Sequence, residues 1–219
     1  VSIIFSRFRE VYKTWKPYSE GCMNLILASG SPQRRQLLAS AGYCFNVVPP
    51  RESAECGLCS QETPPELVAR LAYQKAKDVA CRTSHGIVIG CDTVAECKGQ
   101  ILGKPHDCLH ARQMLKLLQG CRHRVYSGLC LWCRPDDRID VQVDSTILRM
   151  ESLTDEVIEN YLDSDAWQGK AGGFGLQDRP DWLTVIEGSE TNVIGLPMER
   201  LEQMLKEDVD AKEADRKPT

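Results

Sequence analysis

The segment Leu25-Ile26-Leu27-Ala28-Ser29-Gly30-Ser31-Pro32-Gln33-Arg34-Arg35-Gln36-Leu37-Leu38 predicts a buried strand that turns directly into a helix. Its apolar run ends in small hydroxyl and glycine residues, after which Ser31 is typical of a helix N-cap and Pro32 of the first helical position. Gly42 then indicates the end of this helix, because glycine adopts the left-handed conformation that follows many helices. The chain therefore begins its fold with a strand–turn–helix unit.

The start of this predicted helix is a candidate anion site. Its free backbone N–H groups and its positive dipole end attract negative groups. Arg34 and Arg35 add forked N–H donors that suit phosphate oxygens. Two cations in a first turn are unfavourable beside the dipole, so an anionic ligand would offset their cost. The alternative is an ordinary solvated first turn in which both arginines face water.

Length and composition indicate a globular protein that does not bind nucleic acid or membranes. The 219 residues are 42% hydrophobic and 26% charged, which is enough to bury a sizeable core. The net charge of −4 provides no overall attraction for nucleic acid or for acidic membranes. No apolar run reaches the length of a membrane span. Any phosphate binding must therefore come from a local group of residues.

The eleven cysteines suggest small buried hydrophobes in a reducing cytoplasm, since most of them lie inside apolar runs or helices. Two C-x-x-C pairs, Cys56/Cys59 and Cys130/Cys133, raise the alternative of a zinc site. The second pair lies in a predicted strand, where residues three apart point to opposite faces and cannot easily share one ion.

The chain divides into an extension, one domain and a tail. Residues 1–22 show no core pattern and precede Met23, so we expect them to lie outside the domain. The domain covers 23–206, and the charged residues 207–219 are expected to form a disordered tail. Predicted strands cover 24–28, 45–48, 87–91, 123–134, 138–150 and 182–187, and predicted helices cover 32–41, 64–83, 107–120, 154–163 and 197–206. Asp107 and Thr154 are predicted N-caps, Lys98-Gly99 predicts the turn of a small hairpin, and 188–196 is a predicted loop.

Acidic and basic residues follow several of these elements. Asp92 comes directly after a short apolar strand, at the kind of strand end where open α/β sheets carry their chemistry. Glu55 lies on a loop, and Lys75 and Lys104 are cations near the same elements. Carboxylates, cations and an anion site together are typical of a Mg²⁺–phosphate site. Each residue alone could instead cap a turn or belong to a solvated face.

A glycine-rich segment over 169–177 shows neither helix nor strand periodicity. It indicates a loop that approaches a ligand or another part of the backbone closely.

The order of all these motifs resembles the Maf family of nucleoside triphosphate pyrophosphatases, over about Asn24 to Leu205. The resemblance is carried by Ala28-Ser29-Gly30-Ser31-Pro32 with Arg34, Gln74-Lys75-Ala76, Gly90-Cys91-Asp92-Thr93, Leu102-Gly103-Lys104-Pro105, Lys170-Ala171-Gly172 with Gly175 and Gln177, and Val193-Ile194-Gly195-Leu196-Pro197.

The resemblance implies a fold and a reaction. The fold is one α/β domain with a mixed twisted sheet flanked by helices and two lobes around a central cleft, as in inosine triphosphate pyrophosphatases. The reaction is hydrolysis of a nucleoside triphosphate between its α and β phosphates, giving a monophosphate and pyrophosphate. It also implies a divalent cation, Mg²⁺ or Mn²⁺, and a homodimer, while the cysteine pattern indicates the cytoplasmic location.

The resemblance assigns roles by position. Asp92 is implied as the catalytic acidic residue that orders metal and water, and Glu55 as the second acidic group and metal ligand. Phosphate-chain ligands are implied at Ser31, Arg34, Lys75 and Lys104, with Arg35 as a further cation, and Gln177 is implied to contact the base.

Three departures from the family pattern affect these assignments. Gln33 replaces the usual arginine after Ser-Pro, and Cys91 replaces the usual alanine or serine before Asp92. The usual acidic pair after the second strand is altered to Ser53-Ala54-Glu55, which leaves the position of the second acid open by one step. The glycine loop resembles the branch that acts on dTTP, UTP or modified pyrimidine triphosphates. The Gln33-Arg34-Arg35 sequence also occurs in the 7-methyl-GTP branch. A nucleotide-binding regulator of division that needs no turnover is the alternative outside enzymes.

Overall fold

The computed structural model describes residues 24–54, 62–178 and 181–215, which form a mixed sheet with helices on both faces. The strands are β1 (Leu25–Ala28), β2 (Phe45–Val47), β3 (Gly86–Cys97), β4 (Gln100–Leu102), β5 (Arg122–Arg134), β6 (Arg138–Met150) and β7 (Leu183–Glu187). The helices are α1 (Pro32–Ser40), α2 (Pro64–Ala80), α3 (Cys108–Leu118), α4 (Asp155–Asp163), α5 (Glu190–Ile194) and α6 (Met198–Asp215), with single 3₁₀ turns at Glu52–Ala54 and Ala171–Gly173. The predicted mixed sheet flanked by helices is confirmed.

The sheet topology leaves a gap along one edge of β3. The strand order is β2-β1-β3-β5-β6-β7, with β4 also paired to β3. β1 runs parallel to β3 and ends with Ala28 opposite Gly90, whereas β4 runs antiparallel and begins its pairing at Ala95. β5 occupies the other edge of β3 along almost its full length. Residues 91–94 of β3 therefore lie between two strand ends, with an open edge.

Helix α2 covers one face of the sheet at very short range. A Cβ atom on Gly90 would lie 2.2 Å from the carbonyl oxygen of Ala72, and one on Gly128 would lie 2.1 Å from that of Val68. Both glycines lie in the central strands, and the helix presents Val68, Ala72 and Ala76 to them. The absence of side chains at these two positions lets the helix backbone rest directly on the sheet.

The opposite face carries two separate apolar clusters. Because side chains alternate along a strand, Ile89 and Cys91 of β3 face one way and pack with α1 and α6. Farther along the same face, Ala95 and Cys97 pack with α3 and α4. Thr93 lies between these two clusters. The polar gap in the sheet edge thus coincides with a break between two apolar cores.

Local helix signals in the sequence are confirmed. Ser31, Asp107 and Thr154 are the N-caps of α1, α3 and α4, and each side chain accepts a hydrogen bond from a backbone N–H in the first turn. Gly42 follows α1 with φ +82°, and Lys98 and Gly99 form the turn of the β3–β4 hairpin.

Three predicted elements differ from the structure. β3 continues past residue 91 to Cys97, so Asp92 lies within the strand and not at its end, because β5 pairs with the polar half as well. The short helix α5 lies inside a predicted loop. Helix α6 extends to Asp215, so the expected disorder from residue 207 is wrong for 207–215. Asp208 in this extension accepts a hydrogen bond from Arg138 on β6 at 2.5 Å.

The Cys130/Cys133 pair lies on β5 with its side chains on opposite faces of the sheet. Cys130 packs among the α2-side residues, and Cys133 packs in the cluster of α1 and α6. This confirms that the two thiols cannot easily bind one ion. Cys56 and Cys59 lie outside the described residues. Within the described ranges, no helix has the length and apolar character needed to cross a membrane.

Candidate active site

A pocket opens at the gap in the edge of β3. We call one side the α1 wall, which consists of Ser31, Gln33, Arg34, Asp92 and Thr93. We call the other side the glycine-loop wall, which consists of Gly169, Lys170, Ala171, Phe174, Gly175 and Gln177. Lys104, Val125 and the segment 193–195 complete the lining. The topology therefore brings together most of the residues that the sequence analysis selected.

Arg34 is buried in the α1 wall and held by three hydrogen bonds. Its Nε donates to the carbonyl oxygen of Gly195 at 2.7 Å, Nη1 to Ser29 Oγ at 3.1 Å, and Nη2 to Thr93 Oγ1 at 3.2 Å. The side chain is 8% exposed, which excludes the solvated alternative for this residue. A guanidinium has five N–H groups, so these bonds within the described chain leave two for a ligand.

The start of α1 carries the two polar residues that precede Arg34. Ser31 Oγ accepts from the Arg34 backbone N–H at 3.5 Å and donates to Gln33 Oε1 at 2.9 Å. Both side chains line the pocket, so the helix N-terminus faces its interior. Arg35 is exposed on the next position of the helix and is not part of the lining.

Asp92 forms an ion pair with Lys75 of α2. The Lys75 Nζ to Asp92 Oδ1 distance is 2.6 Å, and the two side chains are only 6% and 15% exposed. Lys75 stands 17 residues earlier in the sequence and reaches the pocket through this carboxylate. A partly desolvated pair of this kind fixes the carboxylate, and removal of either partner would leave an uncompensated charge.

Cys91 lies beside these charges but is not a candidate nucleophile. Its thiol is fully buried and donates to the Gly195 carbonyl at 3.2 Å. Burial raises the pKa of the Cys91 thiol, which keeps it protonated near neutral pH. The thiolate is the reactive form of cysteine, so this residue acts as a small core side chain.

The glycine-loop wall is held against the Lys104 loop by backbone contacts. Gly172 N–H donates to the Gly103 carbonyl at 2.9 Å, and Gly172 and Gly173 have φ of +69° and +72°, which other residues rarely adopt. Lys104 itself is exposed at the pocket rim.

Three side chains beside Gly175 shape the base of this loop. The Lys170 ammonium pairs with Asp178, and Gln177 lies next to that ion pair. The Gln177 Oε1 atom is buried and has no hydrogen-bond partner within the described residues. A buried acceptor without a donor is unusual, and the residue that carries it lines the pocket.

His123 of β5 supports the glycine-loop wall from below. It is 3% exposed and meets the ring of Phe174 edge-on, with ring centroids 5.2 Å apart. Burial lowers the pKa of His123 to about 4, against a smaller raising effect from the Cys121 backbone. The imidazole is therefore neutral at physiological pH and serves as a packing group for Phe174.

The pocket offers limited means of holding a metal. Asp92 is the acidic side chain in the described lining, and no cluster of three or more His, Cys, Asp or Glu residues occurs among residues 24–54, 62–178 and 181–215. Glu55 lies outside these ranges. One carboxylate fits a Mg²⁺-like ion, which takes one or two protein carboxylates and otherwise waters and substrate phosphates.

Three supporting residues were not singled out as site residues from the sequence. Ser29, Thr93 and Gly195 hold the Arg34 guanidinium, yet each lies in a motif that carried the family resemblance. The motifs could have indicated that these three residues are important. They could not have indicated that all three accept hydrogen bonds from Arg34.

Comparisons with known proteins show what this chain is similar to. Residues 24–208 match the family described as Maf-like protein. A dTTP/UTP pyrophosphatase of Rhodopirellula baltica is 58% identical over 84% of this chain and 81% of that protein. A dTTP/UTP pyrophosphatase of Carboxydothermus hydrogenoformans is 39% identical over 84% of this chain and 98% of its own length.

One solved structure, a nucleoside-triphosphatase or dITP/XTP pyrophosphatase from Mycobacterium abscessus, covers 87% of this chain and 98% of its own. Its identity is 12% and its TM-score 0.39, which support no conclusion. The family match extends over nearly all of the described domain and includes both walls of the pocket. The chain therefore belongs to the Maf family.

Proposed function

We propose that this protein is a pyrophosphatase that hydrolyses dTTP and UTP to the nucleoside monophosphate and pyrophosphate. The observation that carries the proposal is the pairing of two unlike walls across one pocket. The α1 wall presents a buried arginine with two N–H groups left for a ligand, and the glycine-loop wall presents the buried Gln177 oxygen without a partner. The names of the relatives support the same activity.

The α1 wall would hold the triphosphate chain. Arg34 and the helix start at Ser31 supply N–H donors, and Lys104 adds a positive charge at the rim. These donors are fixed before the substrate binds, because Arg34 is held by three internal bonds. Preorganised donors stabilise the charge that grows on the leaving pyrophosphate in the transition state.

Asp92 would prepare the attacking water. Its carboxylate accepts a proton from the water while the water oxygen bonds to the α-phosphorus. The bond from the α-phosphorus to the α–β bridging oxygen breaks, and pyrophosphate leaves with that oxygen. Lys75 holds the carboxylate in place through the 2.6 Å ion pair.

A divalent cation fits this donor set. Asp92, with Glu55 as the second acidic group, would hold Mg²⁺ or Mn²⁺, and the bound ion would neutralise negative charge on the phosphate oxygens. The expected homodimer rests on the family resemblance and the expected cytoplasmic location on the cysteine pattern, and both stay predictions.

The glycine-loop wall would contact the base. Uracil and thymine present an N3–H donor beside the O4 acceptor, and a glutamine amide offers both an acceptor and a donor. The unpartnered Gln177 Oε1 suits the N3–H donor. The glycines of the loop have no side chains to keep a flat base away from the backbone.

A substrate panel tests the proposal. The full chain is assayed with Mg²⁺ or Mn²⁺ on dTTP, UTP, CTP, GTP and 7-methyl-GTP, with pyrophosphate and orthophosphate measured separately. We expect pyrophosphate as the product and the highest kcat/KM for dTTP and UTP.

Each contrary outcome has its own meaning. A higher kcat/KM for 7-methyl-GTP than for dTTP and UTP would overturn the pyrimidine assignment. Gln33 in the α1 wall, which that branch of the family shares, would then explain the preference for 7-methyl-GTP. Orthophosphate as the product would overturn the choice of bond. Binding of dTTP or UTP without turnover of any triphosphate would support the regulator alternative.

A further inference from the structure

Most of the buried polar side chains in the described residues belong to one hydrogen-bonded network that ends at Arg34. Ser127, Thr146 and Asn192 are fully buried, with exposures of 0%. A buried polar group is costly unless it is hydrogen-bonded, so a connected set of them inside an apolar core needs a reason. Thr146 and Asn192 do not line the pocket, and they can affect a substrate only through other residues.

The first part of the network is a chain of hydroxyl groups that leads away from the Arg34 guanidinium. Arg34 Nη2 donates to Thr93 Oγ1 at 3.2 Å, Thr93 Oγ1 lies 2.8 Å from Ser127 Oγ, and Ser127 Oγ donates to the Asn192 carbonyl at 3.3 Å. Because a guanidinium only donates hydrogen bonds, the Thr93 hydroxyl accepts one from Arg34 and can donate one to Ser127 Oγ. The bonds then all run in one direction and reinforce each other.

The second part of the network fixes the backbone that accepts from Arg34. The carbonyl of Asn192 also accepts from the Gly195 N–H at 3.1 Å, and the Gly195 carbonyl accepts from Arg34 Nε at 2.7 Å. The position of Asn192 therefore affects where two of the three oxygen partners of Arg34, the Gly195 carbonyl and the Thr93 hydroxyl, can lie.

Asn192 is itself tied to two strands of the sheet. Its Nδ2 donates to the Val125 carbonyl on β5 at 3.1 Å and to Thr146 Oγ1 on β6 at 2.9 Å. Thr146 Oγ1 in turn donates to the Ser189 carbonyl at 3.0 Å, just before α5. The N-cap and the middle of α5 are thus attached to the antiparallel part of the sheet.

We propose that Asn192, anchored on Thr146, is a positioning residue that fixes the direction in which the Arg34 guanidinium presents its two remaining N–H groups. The inference rests on the proposed role of Arg34 as a ligand of the triphosphate. A small misplacement of a ligating group strongly lowers transition-state stabilisation. The network therefore links Thr146, which lies on β6 two strands away from β3, to catalysis.

A double-mutant cycle tests this inference with UTP as the substrate. Asn192→Ala should lower kcat/KM by about 10-fold, since it frees the Gly195 segment. In an Arg34→Ala background the same change should lower kcat/KM by less than about 2-fold, because Asn192 then has nothing to position. A merely structural role would give the same factor in both backgrounds.

Two further variants keep the test independent of folding defects. Thr146→Val removes the hydroxyl that anchors Asn192 and should lower kcat/KM in the same way, whereas Thr146→Ser keeps the hydroxyl and should restore it. Ile158→Ala in α4 is a matched control, because it removes fully buried apolar atoms outside the network. It should lower the melting temperature and leave kcat/KM unchanged below it.

The outcomes separate this inference from the proposed function. If Arg34→Ala lowers kcat/KM but Asn192→Ala and Thr146→Val do not, only the positioning inference is overturned. Equal factors for Asn192→Ala in both backgrounds overturn it as well. If Arg34→Ala leaves kcat/KM unchanged, the role of Arg34 is overturned, and this inference with it.

Discussion

The two walls of the pocket satisfy their polar groups in opposite ways. In the α1 wall, Arg34 and Asp92 are each held by internal partners, through three hydrogen bonds and one ion pair respectively. In the glycine-loop wall, the Gln177 oxygen is buried without a partner among the described residues. A wall whose groups are fixed by internal partners, with two arginine N–H groups left over, would suit any triphosphate, whereas an unsatisfied acceptor favours the ligand that supplies a donor. Under the proposed function, the first wall would carry out catalysis and the second would select the base.

The strongest way to break the α1 wall is Asp92→Asn. The substitution keeps the shape of the side chain but removes its charge, so water activation and metal binding are lost. We expect kcat to fall by about 10²-fold or more. Pyrophosphate release under saturating substrate measures this, with the melting temperature as a check on folding. Near-normal release by a folded variant would contradict the assignment.

Arg34→Ala and Lys104→Ala compare a buried cation with an exposed one. Loss of a charge-assisted contact costs about 1.5–3 kcal/mol, or roughly 10- to 100-fold in kcat/KM. Arg34→Ala should reach the upper part of this range because its guanidinium is desolvated and fixed, and Lys104→Ala the lower part because water screens it. Equal losses would show that burial does not distinguish the two contacts.

Gln177→Ala tests the other wall. We expect the preference for UTP over 7-methyl-GTP in kcat/KM to shrink by about 10-fold, because an unpaired polar edge is what rejects the wrong base. Activity on the poor substrate should change little. Gln177→Glu is the matched comparison, since it keeps the size and the acceptor but removes the amide donor. An unchanged preference in Gln177→Ala would place base selection elsewhere.

His123 should affect catalysis least, since it lies beneath the glycine-loop wall and is neutral at pH 7. Its pKa is about 4 in the folded protein, against 6.5 for an unperturbed imidazole. Between these pH values the unfolded state binds more protons, so the free energy of unfolding rises with pH and falls as the solution is acidified. The total loss from pH 6.5 to pH 4 is about 3 kcal/mol.

Urea unfolding across this pH range measures the effect of His123. His123→Phe should remove that part of the pH dependence, whereas His85→Gln, a change at an exposed histidine, should retain it. A slope that persists in His123→Phe would assign it to other groups.

The sequence predicted the parts of the fold that depend on local signals. The N-caps at Ser31, Asp107 and Thr154 and the hairpin at Lys98-Gly99 depend on residues within one turn of each other. The full length of β3 could not be predicted from local signals. Residues 92–97 are polar or mixed, and they form a strand because they pair with β5. The length of helix α6 did not follow either. Beyond residue 207 the helix carries Asp208, which accepts a hydrogen bond from Arg138, a residue far away in the sequence.

The candidate site was predictable as a set of residues but not as an arrangement. The family motifs selected Ser31, Arg34, Asp92 and Gln177, and the structure places all four in one lining. The Lys75–Asp92 ion pair joins a helix to a strand, and the network from Arg34 to Thr146 joins helix α1 to three strands of the sheet. Such pairings depend on the tertiary fold, and no spacing along the chain encodes them.

The short length of the gap in the edge of β3 also limits the pairing of β3 with strands of other chains. An open strand edge ordinarily invites another strand, which leads to aggregation or domain swapping. Here the open stretch is only residues 91–94, closed at one end by β1 and at the other by β4. A strand of ordinary length, about five to six residues, cannot align along it. This gap can therefore display strand-edge groups to a small ligand without itself offering a template for intermolecular β-pairing.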